Sequence, residues 1–261
     1  MIDLNYINSF FPSQIAGNAN FQKHILKEYV QLMVLDYLAN TPYISKLAFI
    51  GGTNLRLING IDRFSEDLDF DCKDMTDEEF KEMTDGVLSF LQRSGINVEA
   101  RDKANLKLTA FRRNIYFPEF LFELGLTGHR DERFLLKIEA QNQGVNYPIE
   151  MKHVQRYGFF FSVPVPPDSV LLSMKLSALL ARAKGRDLYD TMFLMQHTKP
   201  SYEFLSVRVG INSPDGLKKA ILDKLKTTDL KMKKRDFEHL LLNSNSGEKI
   251  LMFEEFIRQN F

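Results

Sequence analysis

The sequence predicts an α/β domain over residues 1–165 followed by a helical domain over residues 166–261. Three observations carry that reading. Short stretches in the first part alternate apolar and polar residues, as strands do, and helix-period segments lie between them. The segment Pro164-Val165-Pro166-Pro167-Asp168 reads as a linker, because proline stops both a helix and a ladder. Beyond it nearly every segment has helical spacing.

The elements follow in order. Phe21, Ile25, Tyr29, Leu32 and Val34-Leu35 recur at three-to-four spacing with charges between them, which predicts a helix from Phe21 to Leu38. Lys46 to Ile50 is a short apolar run ending in Gly51-Gly52, read as strand, glycine turn, then a short helix from Thr53 to Ile58. Asp67-Leu68-Asp69-Phe70-Asp71-Cys72 alternates strictly and predicts a strand. Thr76-Asp77-Glu78-Glu79 matches a capping box and opens a helix to Arg93, closed by Ser94-Gly95. Three further strands are expected at Ile96–Arg101, Leu106–Phe117 and Phe134–Ala140. After the prolines, Ser169 to Ala183 forms a long amphipathic helix, with Leu176, Leu179 and Leu180 toward a core.

Composition narrows the function classes. At 261 residues the chain makes one large domain or two small ones, and its core needs no covalent staples. One cysteine excludes an internal disulfide framework and fits a reducing compartment. No apolar run approaches the roughly 18 residues needed to cross a bilayer. The opening Met1-Ile2-Asp3-Leu4-Asn5 lacks the basic region and apolar stretch of a signal peptide. A cytoplasmic location with no membrane partner is therefore expected. The 34 Lys+Arg balance the 34 Asp+Glu, which argues against a uniformly basic protein coating nucleic acid. Zero is nevertheless a sum of patches: Asp62 to Glu82 carries ten acidic residues against Arg63, Lys73 and Lys81, a net of −7. Leu217 to Arg235 carries eight cations against Asp223 and Asp229, a net of +6.

Three segments carry potential chemistry. Gly51-Gly52-Thr53-Asn54-Leu55-Arg56 follows a strand and opens a helix; two glycines let backbone approach a ligand, and a helix N-terminus attracts phosphate. The same pair also serves an ordinary tight turn. In Arg63-Phe64-Ser65-Glu66-Asp67-Leu68-Asp69-Phe70, Asp67 and Asp69 share one strand face while Leu68 and Phe70 point to the other. Paired carboxylates suit a hard cation such as Mg²⁺, and they also suit a solvated edge strand. In Lys175 to Asp190, Lys175 and Arg182 stand seven apart on one helix face, followed by Lys184-Gly185-Arg186-Asp187. These cations could hold phosphates or simply complement a helix end. Glu139, alternating with Lys137 on a strand, is either a further acidic ligand, a general base or an exposed charge.

In this order, GGTxLR, RFSxDLDF and Kx₂Ax₃RxKGRDxxD resemble the AbiEii/AbiGii-type nucleotidyltransferase toxins, a family within the DNA polymerase beta-like minimal nucleotidyltransferase superfamily that includes the MenT toxins. The resemblance spans residues 46–195. It implies a mixed nucleotidyltransferase sheet flanked by helices, with the helical domain contributing cations to the cleft. It further implies that Gly51, Gly52 and Thr53 face the triphosphate, with Arg56 one turn on and Ser65 close to phosphate. Asp67 and Asp69 match the metal ligands, and Glu139 is the best match for a third carboxylate. Lys175 and Arg182 match the basic helix positions, and Lys184, Arg186 and Asp187 the KGRD segment; Arg186 and Asp187 serve equally well as scaffold, paired with each other or with Arg56.

The implied reaction moves a nucleoside monophosphate from an NTP, with Mg²⁺ or Mn²⁺, onto RNA, first of all the 3′ end of tRNA. That would block translation in a toxin–antitoxin or phage-defence system, with a cognate antitoxin as partner. The 217–235 run and the basic strand Arg101–Arg113 are candidate RNA paths, the former equally a solvated helical surface. Two alternatives stand beside this: transfer to a protein or small-molecule hydroxyl, and a non-catalytic nucleotide-binding regulator.

Overall fold

A computed structural model describes residues 2–102 and 110–261. The expected strand over Leu106–Phe117 and the path over Arg101–Arg113 therefore lie partly outside the described residues. The chain divides into two units, the first comprising Met1–Asn59, Phe64–Asn142 and Met151–Val165.

The first unit opens with two short helices, α1 (Leu4–Asn8) and α2 (Ser13–Ala16), and the long α3 (Ala19–Ala39). Asn18 caps α3, its side chain accepting from the Asn20 N–H, and Ile25, Leu26, Val30, Val34 and Leu38 form its buried stripe. Strand β1 (Leu47–Ile50) runs straight into α4 (Gly51–Leu57), and β2 (Asp67–Cys72) follows. Helix α5 (Asp77–Arg93) begins at the expected capping box, with Thr76 and Glu79 bonding each other's backbone reciprocally. Then come β3 (Glu99–Ala100), β4 (Phe111–Tyr116), α6 (Phe120–Glu123) and β5 (Leu135–Ala140).

These strands form one mixed sheet in the order β1-β2-β5-β4-β3, in which β2 and β5 are parallel and the other neighbours antiparallel. One face is apolar and closed by Phe49, Leu68, Phe70, Leu136 and Ile138. On the other face β2 aligns Asp67 with Lys137 and Asp69 with Glu139.

A hairpin, β6 (Glu150–Arg156) and β7 (Phe159–Val165), stands as a separate two-stranded sheet, and β7 packs on α3 and β1. The alternation rule does not reveal β6, because all its residues but Val154 are exposed or half-buried. The strand β7 runs through Pro164, and the next helix starts at Asp168, so the proline-rich segment leaves only Pro166 and Pro167 between elements.

The second unit comprises Gly60–Arg63, Gln143–Glu150 and Pro166–Phe261. Its helices are α7 (Asp168–Arg182), α8 (Gly185–Met195), α9 (Tyr202–Val209), α10 (Pro214–Leu225), α11 (Leu230–Arg235) and α12 (Phe253–Asn260). Helix α7 packs against α8, α9 and α10. Val145, Val170 and Phe204 form a buried cluster with Tyr147 and Met174 against it. The short segment Gly60–Arg63 is pinned into this unit: the Asp62 carboxylate accepts from Tyr189 at 2.5 Å and Ser246 at 2.9 Å, and Arg63 bridges Leu241.

Candidate active site

The first unit gathers the glycine turn and the paired aspartates. Strand β1 passes into α4 with no intervening loop, so Gly51 takes a left-handed φ of +81° and begins the helix itself. Ile50 lies opposite Asp69 in the ladder, and a Cβ built on Gly51 would fall 2.3 Å from the Asp69 Oδ2. Glycine is thus required twice here, for its φ and for the space the carboxylate occupies. The Asn54 amide donates to the Phe49 carbonyl at 2.7 Å, and the Thr53 hydroxyl to the Asp67 carbonyl at 2.5 Å, fastening α4 to both strands.

Gly51→Ala is expected to push Asp69 out of place. The left-handed conformation alone costs about 1–2 kcal/mol for a residue with a Cβ, and nucleotide transfer should fall at least about tenfold on top of that, since a misplaced reacting geometry is costly. Steady-state transfer and thermal melting of the variant check this.

Asp67 and Asp69 are half-buried on the open face, as the alternation predicts. Their neighbours differ from the expectation. Lys137 sits between carboxylates, with Nζ 2.9 Å from Asp67 Oδ2 and 3.5 Å from Glu139 Oε2. Burial opposes its charge, but Asp67, Glu139 and Asp69 outweigh burial and raise its pKa above the usual lysine value. Arg112 from β4 also pairs with Glu139. Glu139 is therefore engaged by two cations rather than free as a third ligand or a base. Among the described residues no group of three or more His, Cys, Asp or Glu is assembled to hold a metal ion. The donor set is a pair of hard oxygen ligands, Asp67 and Asp69; that suits a Mg²⁺-type ion, which takes one or two carboxylates with the remaining positions left to water and substrate phosphates.

Two of the expected nucleotide-binding side chains turn out to be structural. Thr53 is fully buried, with its hydroxyl on the Asp67 carbonyl. Arg56 is only 5% exposed and pairs with the buried Glu28 of α3 at 2.8 Å. Arg156 reaches the same carboxylate at 3.4 Å, and the Tyr157 hydroxyl donates to it. A buried guanidinium must be paired, and Glu28 supplies the charge that phosphate was expected to supply. Gly52 is likewise buried. Ser65 is nearly buried, its carbonyl accepting from Gln31 at 3.2 Å, and its hydroxyl has no hydrogen-bond partner among the described residues.

The residues of the third motif lie in the second unit, and there most of them hold one another. Asp190 is fully buried and receives Arg63 Nε and Nη2, each at 2.7 Å, and Lys175 Nζ at 2.8 Å. Burial would raise its pKa, but Arg63 and Lys175 pull it down to about 2. Lys175 is thus the partner of Asp190 rather than an open cation. Arg182 grips Asp187 through two bonds at 2.9 and 3.0 Å while half its side chain stays exposed.

Asp187 stands in the first turn of α8, its carboxylate accepting from the Lys184 N–H at 3.2 Å. The expected scaffold pairing of Asp187 is made with Arg182, and Arg56 pairs with Glu28. Gly185 is needed because a Cβ there would meet the Lys233 carbonyl at 1.9 Å. Lys184 is exposed and Arg186 half-buried.

The 217–235 run is less basic in the fold than in the sequence. Lys218 reaches the Phe261 oxygen and Lys224 the Ala181 carbonyl, while Lys226, Lys233 and Lys234 pair with Asp223, Asp236 and Glu238. Lys219, Lys231 and Arg235 are exposed and have no ion-pair partner among the described residues.

A mixed sheet with paired carboxylates beside a glycine-started helix has the form of a nucleotidyltransferase. The comparisons with known proteins agree. A family model described as the nucleotidyl transferase AbiEii toxin, of type IV toxin–antitoxin systems, matches residues 34–241. The structure is similar to MenT4, a nucleotidyltransferase toxin of Mycobacterium tuberculosis, with a TM-score of 0.63 at 17% identity, covering 99% of this chain and 90% of that one. It is also similar to JHP933 of Helicobacter pylori, with a TM-score of 0.50 at 22% identity, covering 90% and 92%. No curated protein matches the sequence. The chain belongs to the AbiEii family: it is an NTP-dependent nucleotidyltransferase toxin of a type IV toxin–antitoxin system. No described helix is long and apolar enough to cross a membrane.

Proposed function

We propose that this protein transfers a nucleoside monophosphate from an NTP to an RNA hydroxyl, foremost the 3′ end of tRNA, and so halts translation until a cognate antitoxin restrains it, in a toxin–antitoxin or phage-defence setting. The observation that carries the reading is the open sheet face on which Asp67 and Asp69 stand side by side, with Gly51 cleared of a side chain against Asp69. An acceptor hydroxyl gives its proton to water and its oxygen bonds the α-phosphorus, the bridge to the β-phosphate breaks, and pyrophosphate leaves with the bonding electrons. Mg²⁺ or Mn²⁺, held by Asp67 and Asp69, would supply charge neutralisation and alignment for that displacement.

The chain's own contribution is positioning, as in phosphoryl transfer generally. Asp69 is fixed by its ladder register and by Gly51, and Asp67 is fixed by the Thr53 bond to its carbonyl and by Lys137. Lys137 and Arg112 pair with Glu139, and Ser65 offers a hydroxyl to a phosphate oxygen. On the second unit, Lys184, Lys219, Lys231 and Arg235 offer exposed charge to an RNA backbone.

Incubation with total RNA, a divalent cation and each α-labelled NTP in turn tests the reading. Label is expected on small RNA and should vanish with RNase. Label on protein or on a small molecule, resistant to RNase, would transfer the assignment to a different acceptor.

A further inference from the structure

Lys27 belongs to none of the three motifs, and it stands near the end of the sheet at which β2 and β5 begin. Strands β2 and β5 are parallel and begin at the same end of the sheet. Phe134 lies just before β5, Glu66 just before β2, and Asp67 is the first residue of β2. The Lys27 ammonium rests over the Phe134 ring, 5.6 Å from its centre, and the residue is half-buried. Glu66 and Asp67 act on its charge through space, as do Lys23 and Lys137 with the opposite sign. No carboxylate reaches ion-pair distance of it among the described residues. Lys23, one turn before it on α3, is by contrast paired with Glu132 at 3.1 Å. Burial outweighs the two carboxylates and lowers the pKa of Lys27 below the usual lysine value.

A half-buried ammonium without a direct counter-ion is a cost in the fold, and it needs a compensating anion. The aromatic face offsets part of the cost, about 0.5–2 kcal/mol. We propose that Lys27 is a phosphate-binding residue of the nucleotide site, its missing counter-ion being a phosphate of the NTP brought to Asp67 and Asp69. The inference rests on the assignment of that face to the nucleotide. Close enough to Asp67 for the two charges to act on each other but not bonded to it, Lys27 leaves the carboxylate to its ion while its own charge takes up phosphate. A lysine is a compact point charge that serves this role on a flexible stem.

Calorimetric titration of the full chain with MgATP, MgGTP, MgCTP and MgUTP, each alone and without RNA, tests this. Lys27→Met keeps the stem over Phe134 and deletes the charge, and Lys27→Arg keeps the charge. For the NTP that wild-type protein binds, Lys27→Met should weaken binding by roughly ten- to a hundredfold, the worth of one charged hydrogen bond, and Lys27→Arg should retain most of the affinity. The melting temperature of Lys27→Met should hold or rise, because an unpaired buried charge has gone; a merely structural lysine would show the reverse pattern. Unchanged NTP affinity in Lys27→Met overturns the role of Lys27 while leaving the site in place. Wild-type protein that binds none of the four overturns the assignment of the face itself, and the role of Lys27 with it.

Discussion

Asp190→Ala is expected to destabilise the protein by about 3–5 kcal/mol, the range for removing one partner of a buried ion pair. The carboxylate is fully buried and holds Arg63 and Lys175 together. Its loss leaves two largely buried cations without the carboxylate that holds them, and desolvation of a charge is a large penalty in a core. At about 2–4 °C per kcal/mol for a chain of this size, melting should fall by roughly 10 °C. An exposed pair gives the contrast. Arg258 and Glu254, both about half exposed one turn apart on α12, should contribute well under about 1 kcal/mol.

The pH dependence has a definite sign. Asp190 titrates near 2 in the fold against an ordinary 3.8, so it contributes stability that is complete above about pH 4 and is lost as pH falls toward 2. Urea unfolding at neutral pH and across that acid window checks both statements, and Asp190→Asn should flatten the acid slope. Wild-type stability in Asp190→Ala would contradict the account.

That ion pair also shows where the sequence stops being legible. Arg63 opens the second motif and Asp190 closes the third, 127 positions apart. Nothing local marks them as partners: each reads as one more charge in a motif already assigned to metal or phosphate. The same holds for Arg56, which is spaced correctly for a ligand one turn into α4 yet answers Glu28 on α3. Local pattern determines which face of a helix or strand a residue takes, and there the reading was good. Thr76 and Glu79 cap α5 where expected, and Asp67 and Asp69 share the open face that strict alternation demands.

Pairing between elements is set by packing over long separations, which a one-dimensional pattern does not contain. The hairpin fails for a different reason. Residues of β6 face solvent on both sides of the ladder, so no alternation exists to be read, and its two-residue turn is Tyr157-Gly158 with positive φ at both positions rather than Asn-Gly. Lys27 is legible only as a helix charge; what marks it is the aromatic ring beneath it, supplied from the start of β5, and the lack of an ion-pair partner among the described residues.

Asp67→Asn and Asp69→Asn should each abolish nucleotide transfer while leaving the fold intact. Asparagine keeps the shape of the side chain and removes the charge, so ladder register and the packing of Leu68 and Phe70 on the closed face do not change. What goes is the anionic oxygen that a divalent ion and its triphosphate require. Electrostatic stabilisation of this kind is worth several kcal/mol, which corresponds to a loss of roughly a thousandfold or more in rate.

Asp67→Asn has a second readout. Asp67 is directly bonded to Lys137, and Asp67→Asn leaves that ammonium with Glu139 alone. Asp67→Asn should therefore lower the melting temperature slightly, in keeping with the loss of a half-exposed pair worth under about 1 kcal/mol. Transfer at the wild-type rate in either purified variant would remove the paired aspartates from the mechanism. Loss of transfer accompanied by unfolding would show that they hold the sheet together instead, and the circular dichroism of each variant separates the two.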